Sequence, residues 1–280
     1  MIGEREVLDL GYVRLIDVMG DDWEPARAAR TSYDQPLKGE EADTKLMRYL
    51  LRNRHTTPFE MVELKWEMKL PIFVARQIIR HRTANVNEMS GRYTEMPDEH
   101  YVPEEWRAQD TKNKQGSVAG GLDLTHQGAA SAVYDFANKQ AYDAYQSLLG
   151  IGVAREMARM ILPLSMYTKW IWKLDLHNTL HFLELRLDSH ATSETQQYAR
   201  AMNALMRGVL PQTMKLWDEI RQERMWAEKL FAGKQAIKEA AELLDVLVAS
   251  DRDVTEETKD VWREQLARVS ALLIAPEVPQ

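Results

Sequence analysis

Between residues 62 and 70, Val62, Leu64, Trp66, Met68 and Leu70 alternate with Glu63, Lys65, Glu67 and Lys69. A period of two predicts a strand with one buried and one wet face. A second alternation, "TKWIWKLDL", places Trp170, Trp172 and Leu174 on one side and predicts another. "YVRLIDVMG" (12–20) is β-branched and apolar and predicts an opening strand. Helical patterns lie between them. "DWEPARAAR" (22–30) carries Pro25 in its first turn. From about residue 41, Leu46, Tyr49 and Leu50 share a helical face that ends at "HTTPFE". Pro71 suits the first turn of a helix, and "PIFVARQIIRHR" continues as one.

Residues 109–121 form a polar, glycine-bearing stretch that predicts a loop. A long helix is expected over 123–150, and another, "VAREMARMIL", up to Pro163. Helical patterns return from "HNTLHFLELRL" through "SETQQYARAMNALMRGVL". After about 222 the composition changes, and Ile237, Leu244, Val248, then Trp262, Leu266, Val269 and Leu273 fit helical stripes. The expectation is a main domain over 1–221 and a helical hairpin over 222–280. Strands mixed with long helices, without regular β–α alternation, indicate an α+β fold with an antiparallel or mixed sheet.

The 280-residue chain is 45% hydrophobic, with eight Trp and ten Tyr, enough for a substantial core. Its formal net charge of −7 argues against broad, charge-driven nucleic-acid binding but permits a local basic pocket. No signal-like or bilayer-length apolar run occurs, so the expectation is a cytoplasmic protein without a membrane partner. Cysteine is absent, which excludes disulfides, zinc thiolate sites and thiolate nucleophiles.

Positive charge concentrates in "RHRTANVNEMSGRY" (80–93). Arg76 and Arg80, spaced four apart on one expected helix face, are accompanied by Gln77, His81 and Arg82. A solvated basic helix end is the plain explanation. The polar run that follows favours another. Ser90 and Gly91 offer donors to an anion, Arg92 suits a phosphate, and Glu88 accepts from a sugar hydroxyl or base N–H. Many donors with one acceptor fit a nucleotide. Arg155 and Arg159 alone suggest only structural salt bridging.

Residues 174–190 hold Asp175, His177, His181, Glu184, Arg186, Asp188 and His190. His177 and His181 have metal-ligand spacing, but Asn178 stands where a zinc-protease motif needs Glu. Arg186 lies between Leu185 and Leu187, where partial burial would let it stabilise developing negative charge. Two other readings stay open here: a metal-dependent nucleotide hydrolase using His177, His181, Asp188 and His190, and an RNA-binding module using the RHR segment.

These segments together resemble the flavin-dependent thymidylate synthases. The family's RHR, seven residues, then Ser is matched by Arg80-His81-Arg82 and Ser90, with Asn87, Glu88, Arg92 and Tyr93 around it. His55, Thr57, Pro58, Phe59 and Glu60 match its H-x-TPFE, "REMARMILP" its arginine helix, and "LRLDSHA" its LR-x-DSHA segment. The resemblance runs from about residue 12 to about 217. Three places depart: Met61 and Asn85 replace a common His and Ser, and Asp175-Leu176-His177 replaces an Asn-x-Arg.

The resemblance implies methylation of dUMP to dTMP, with methylenetetrahydrofolate as carbon donor, FAD as hydride carrier and NADPH as reductant. It also implies a homotetramer with sites at subunit junctions, and no metal. For dUMP it implies Gln77, Ile78, Ile79, Arg80, Glu88, Met89, Ser90, Gly91, Arg92, Arg159 and Arg186. For FAD it implies Thr57, Arg80, His81, Arg82, Glu88, Asp175, Leu176, His177 and His181, with Ser32 a further candidate. Arg186 matches the arginine that polarises the uracil ring.

Overall fold

The strongest alternation in the sequence forms the middle of the sheet. In a computed structural model describing residues 1–111, 113–114, 116–250, 260 and 264, β3 (Glu63–Pro71) pairs antiparallel with β7 (Tyr167–Asp175). The register runs unbroken from Glu63 opposite Asp175 to Pro71 opposite Tyr167. β2 (Gly11–Met19) flanks β3 with a bulge between Leu15 and Asp17, and β1 (Gly3–Val7) forms one edge. β4 (Asn85–Glu88) pairs with β7 and forms the other, giving the order β1-β2-β3-β7-β4.

The apolar positions do what their period demands. Leu64, Trp66, Met68 and Leu70 of β3 and Trp170, Trp172 and Leu174 of β7 are buried. Trp66 lies opposite Trp172, and the Trp170 and Trp172 rings stack 6.3 Å apart. Truncating any of these tryptophans to alanine costs about 3–5 kcal/mol by the usual scale of large core deletions.

The helices fall largely where the pattern puts them. They are α1 (Glu24–Thr31), α2 (Glu40–Arg52), the short α3 (Thr57–Glu60), α4 (Ile72–Ile78) and α5 (Leu124–Gly150). α6 (Arg155–Ala158), α7 (Leu176–Arg186), α8 (Ser193–Val209) and α9 (Pro211–Ser250) follow. This is the α+β architecture with an antiparallel sheet.

Local details differ from the expectations, each for a physical reason. The buried face of α2 is Asp43, Met47 and Leu50, and Tyr49 is exposed. Asp43 tolerates burial because Arg30 Nε donates to it at 2.6 Å and the Lys38 and Gly39 N–H groups cap its other oxygen. Burial pushes this carboxyl up, but the hydrogen bonds from Arg30 and Lys38 outweigh it and hold the group below its ordinary range. The helix after β3 stops at Ile78, so Arg80-His81-Arg82 lies beyond it and Arg76 and Arg80 share no helical face. Part of the expected polar loop is the edge strand β4, and the 109–121 stretch contains a small hairpin of β5 (Ala108–Gln109) and β6 (Ser117–Val118). The arginine helix is a single α turn continued by a 3₁₀ turn at Arg159–Ile161.

Two compact units are defined, Met1–Met214 and Lys215–Gln280. Helix α9 is continuous through residue 222. The second arm of the expected hairpin, with Trp262, Leu266, Val269 and Leu273, lies outside the described residues, as do the side chains of Ile237, Leu244 and Val248. Among the described residues no helix is long and apolar enough to cross a membrane.

Candidate active site

Strand β4 delivers a pocket. Its register on β7 continues one step past Glu88, where Met89 N–H donates to the Lys169 carbonyl at 2.7 Å. The chain then turns: Tyr93 and Thr94 N–H both reach the Ser90 carbonyl, and Arg92 N–H reaches Ser90 Oγ at 3.3 Å. Two tyrosines of α5 clamp the far side, Tyr145 Oη accepting from Met96 N–H and Tyr142 Oη donating to the Met96 carbonyl, each at 3.1 Å. Between turn and sheet lies a cavity of about 320 Å³ lined by Glu88, Met89, Ser90, Gly91 and Arg159, with Ile72, Met96, Leu162 and Thr168.

Gly91 is fixed by crowding. A Cβ there would lie 3.1 Å from Arg159 Cδ and 3.2 Å from the Met96 side chain, closer than ordinary contact allows. Glu88 is aimed by Thr168, whose Oγ1 donates to its Oε1 at 2.7 Å. Thr168 was not singled out in the sequence, although it shares the buried face of "YTKWIWKLD" with Trp170 and Trp172 as that face's one hydroxyl. Arg92 lies one step outside the lining, 3.4 Å from Glu156 in an exposed pair that contributes little.

A second cluster forms where α4 and α7 end. α4 leaves β3 at Pro71 and α7 leaves β7 at Asp175, which are opposite ends of the paired strands. Their C-terminal ends meet: Arg186 Nη2 donates to the Gln77 carbonyl at 3.3 Å. Arg186 Nε donates to His81 Nε2 at 3.0 Å, so that nitrogen is an acceptor and the imidazole is neutral. Burial, then the neighbouring Arg186 and His181, pull the His81 pKa down to about 4. The His81 ring stands edge-on to Phe182 at 5.0 Å and to His181 at 6.0 Å. Burial lowers the Arg186 pKa, yet a guanidinium keeps its proton. Among the described residues no carboxylate pairs with it; the Gln77 carbonyl at the C-terminal end of α4 stands in for one. Gln77 Oε1 in turn accepts from Thr192 and Thr195, two hydroxyls that the sequence reading did not single out.

The remaining candidates divide by exposure. Ile78 is buried in the core and Ile79 is exposed. Arg80 and Arg82 are exposed, and among the described residues neither pairs with a carboxylate. Thr57 opens α3 with its side chain exposed, and Ser32 follows α1, also exposed. Asp175 caps α7, accepting from Asn178 N–H at 2.8 Å and from Asn178 Nδ2 at 2.7 Å. Leu176 is fully buried with its N–H on the Val62 carbonyl, His177 is half-buried and His181 exposed.

His190 Nδ1 lies 2.6 Å from Asp188, but among the described residues no three His, Asp or Glu side chains are placed to hold a metal. Neither Gln77 nor Arg186 lines the Ser90 cavity, so one chain presents two separate halves of the expected nucleotide-binding set.

Comparison with known proteins agrees with this geometry. The family model for thymidylate synthase complementing protein matches residues 14–212. The flavin-dependent thymidylate synthase of Thermus thermophilus is 50% identical over 213 residues, covering 76% of this chain and 77% of that protein. The Ruegeria pomeroyi protein of the same name is 43% identical over 272 residues, covering 92% of this chain and 85% of its own. Among solved structures, a UMP/dUMP methylase from Streptomyces cacaoi bound with 5-Br dUMP superposes with a TM-score of 0.68 at 31% identity, covering 77% of this chain and 97% of that one. With the family model spanning β3, the Ser90 turn, β7 and the Arg186 helix together, the chain belongs to the flavin-dependent thymidylate synthase family.

Proposed function

We propose that this enzyme converts dUMP to dTMP by reductive methylation, with methylenetetrahydrofolate as carbon donor, FAD as hydride carrier and NADPH as reductant. The observation that carries the reading is the Ser90 cavity, where Glu88, Ser90, Gly91 and Arg159 converge beside exposed Arg92. Ser90, Gly91 and the two guanidiniums supply donors to a phosphate. Glu88, held by Thr168, supplies an acceptor.

Methylation at C5 of uracil requires that carbon to be nucleophilic. The chain contains no cysteine to add to C6, and among the described residues Ser90 Oγ accepts from Arg92 N–H and is hydrogen-bonded to no base, so binding is its role. Arg186 answers the electronic requirement instead. Its guanidinium is fixed by Gln77 and His81 and has no neutralising carboxylate among the described residues, so its field is available to negative charge building on the pyrimidine.

The residues also fit FAD. Arg80 and Arg82 offer two cations to a diphosphate, Thr57 a hydroxyl, and His81 and His181 imidazole edges, with Asp175, Leu176 and His177 at the start of α7. When bound, FAD supplies hydride to the pyrimidine. Separation of the Ser90 and Arg186 clusters on one chain supports a homotetramer whose sites combine the two halves at subunit junctions.

The test is dTMP formation from dUMP, methylenetetrahydrofolate and NADPH with added FAD. Turnover that requires all four is the expected result. Protein that takes up no FAD and forms no dTMP would overturn the reading.

A further inference from the structure

We propose that Thr192 and Thr195 are positioning residues that hold Gln77 with its amide N–H₂ turned toward the nucleotide as a donor. The inference rests on the nucleotide reading above and adds residues outside its binding set. Thr195 is fully buried in the first turn of α8, and its Oγ1 donates to Gln77 Oε1 at 2.9 Å. Thr192 Oγ1 reaches the same oxygen at 2.9 Å and also lies 2.9 Å from Thr195 Oγ1.

The diverted hydroxyl is telling. Thr192 is the N-cap residue of α8, where a threonine hydroxyl normally accepts from the helix's own first N–H groups. Here it makes no such cap and turns to Gln77 instead. The helix forgoes a local stabilisation, and two hydroxyls converge on one side-chain carbonyl oxygen. With Oε1 held by the threonine pair, Nε2 faces away from it, and among the described residues it donates to no protein acceptor. The Gln77 backbone is held as well, its carbonyl accepting from Arg186. Side chain and main chain of one residue are thus fixed from two elements, leaving two N–H groups aimed outward. Their partner is an oxygen acceptor of the nucleotide, either a phosphate oxygen or a ring carbonyl.

Calorimetry of dUMP binding to the FAD-loaded protein tests this. Thr195→Val and Thr192→Val each weaken dUMP roughly ten-fold, the scale of one lost hydrogen bond of good geometry. In turnover KM rises by a similar factor while kcat stays within about two-fold. Thr195→Ser, which keeps the hydroxyl, restores wild-type affinity; a merely structural threonine would not discriminate Ser from Val in this way. Gln77→Glu still accepts from both threonines but presents an acceptor outward, and dUMP binding falls by at least roughly 100-fold.

Deoxyuridine identifies the oxygen. The Thr195→Val penalty disappears for the nucleoside if Gln77 reads phosphate and persists if it reads the ring, and either result supports the assignment. Thr192 is exposed, so its variant keeps the test decisive if Thr195→Val fails to fold. Unchanged affinity in Thr192→Val, or Thr195→Ser as weak as Thr195→Val, overturns the inference alone. Wild-type protein that binds no dUMP overturns it together with the nucleotide reading.

Discussion

Around Ser90, position is set by backbone: a strand that continues its ladder, a tight turn and a glycine that leaves room for Arg159. Around Arg186, position is set by side chains meeting from two helix ends, with a cation that no described carboxylate neutralises. The first arrangement suits recognition, because backbone fixes the shape of the pocket before a ligand arrives. The second suits catalysis, because an incompletely compensated charge in a half-buried place has most to gain from charge that develops late. One chain therefore separates holding from activating.

Three measurements break or sharpen that contrast. The largest effect belongs to Arg186→Ala, which is expected to lower kcat for dTMP formation by at least about 10²–10³, as for a deleted transition-state donor. FAD uptake, read from flavin absorbance, stays intact. Normal turnover in this variant would erase the distinction. Next comes Gly91→Ala, whose methyl must displace Arg159 or Met96. It is expected to weaken dUMP by roughly ten-fold, the scale of one disturbed contact, with kcat little changed; a loss confined to kcat would move Ser90's turn into the activating half.

The smallest effect is a pH dependence. His81 falls from its ordinary 6.5 to about 4 in the folded protein, so the folded state resists a proton that the unfolded chain accepts. Its contribution to stability is intact above pH 6.5 and is lost progressively as pH falls toward 4. His81→Asn keeps an acceptor for Arg186 but cannot titrate, and its urea midpoint should decline less over that window. Identical slopes for the two proteins would show that Arg186 and burial do not hold the imidazole neutral.

Legibility in the sequence followed burial. β3 and β7 were readable because each puts one face in the core, so a period of two survives in the text. β4 was not, because all four of its residues are exposed and no alternation was imposed on it. The α2 face was misplaced by taking Tyr49 as inward; Asp43 is inward because Arg30 and two backbone N–H groups reach it from residues earlier in the chain. Among the site residues, Glu88, Ser90 and Gly91 could be picked out from their chemistry and Arg159 only through the resemblance, and their convergence with Thr168 required the fold. Thr192 and Thr195 carried no signal, since two threonines at a helix start are ordinary capping composition.

The unbroken β3–β7 ladder also acts as a gauge. Because α4 and α7 start from its opposite ends and run toward each other, the number of rungs sets how far apart Gln77 and Arg186 finish. Two residues added to either strand would lengthen that span by about 6.6 Å, at some 3.3 Å per residue. This pair of strands therefore has its measure dictated by where two helix tips meet.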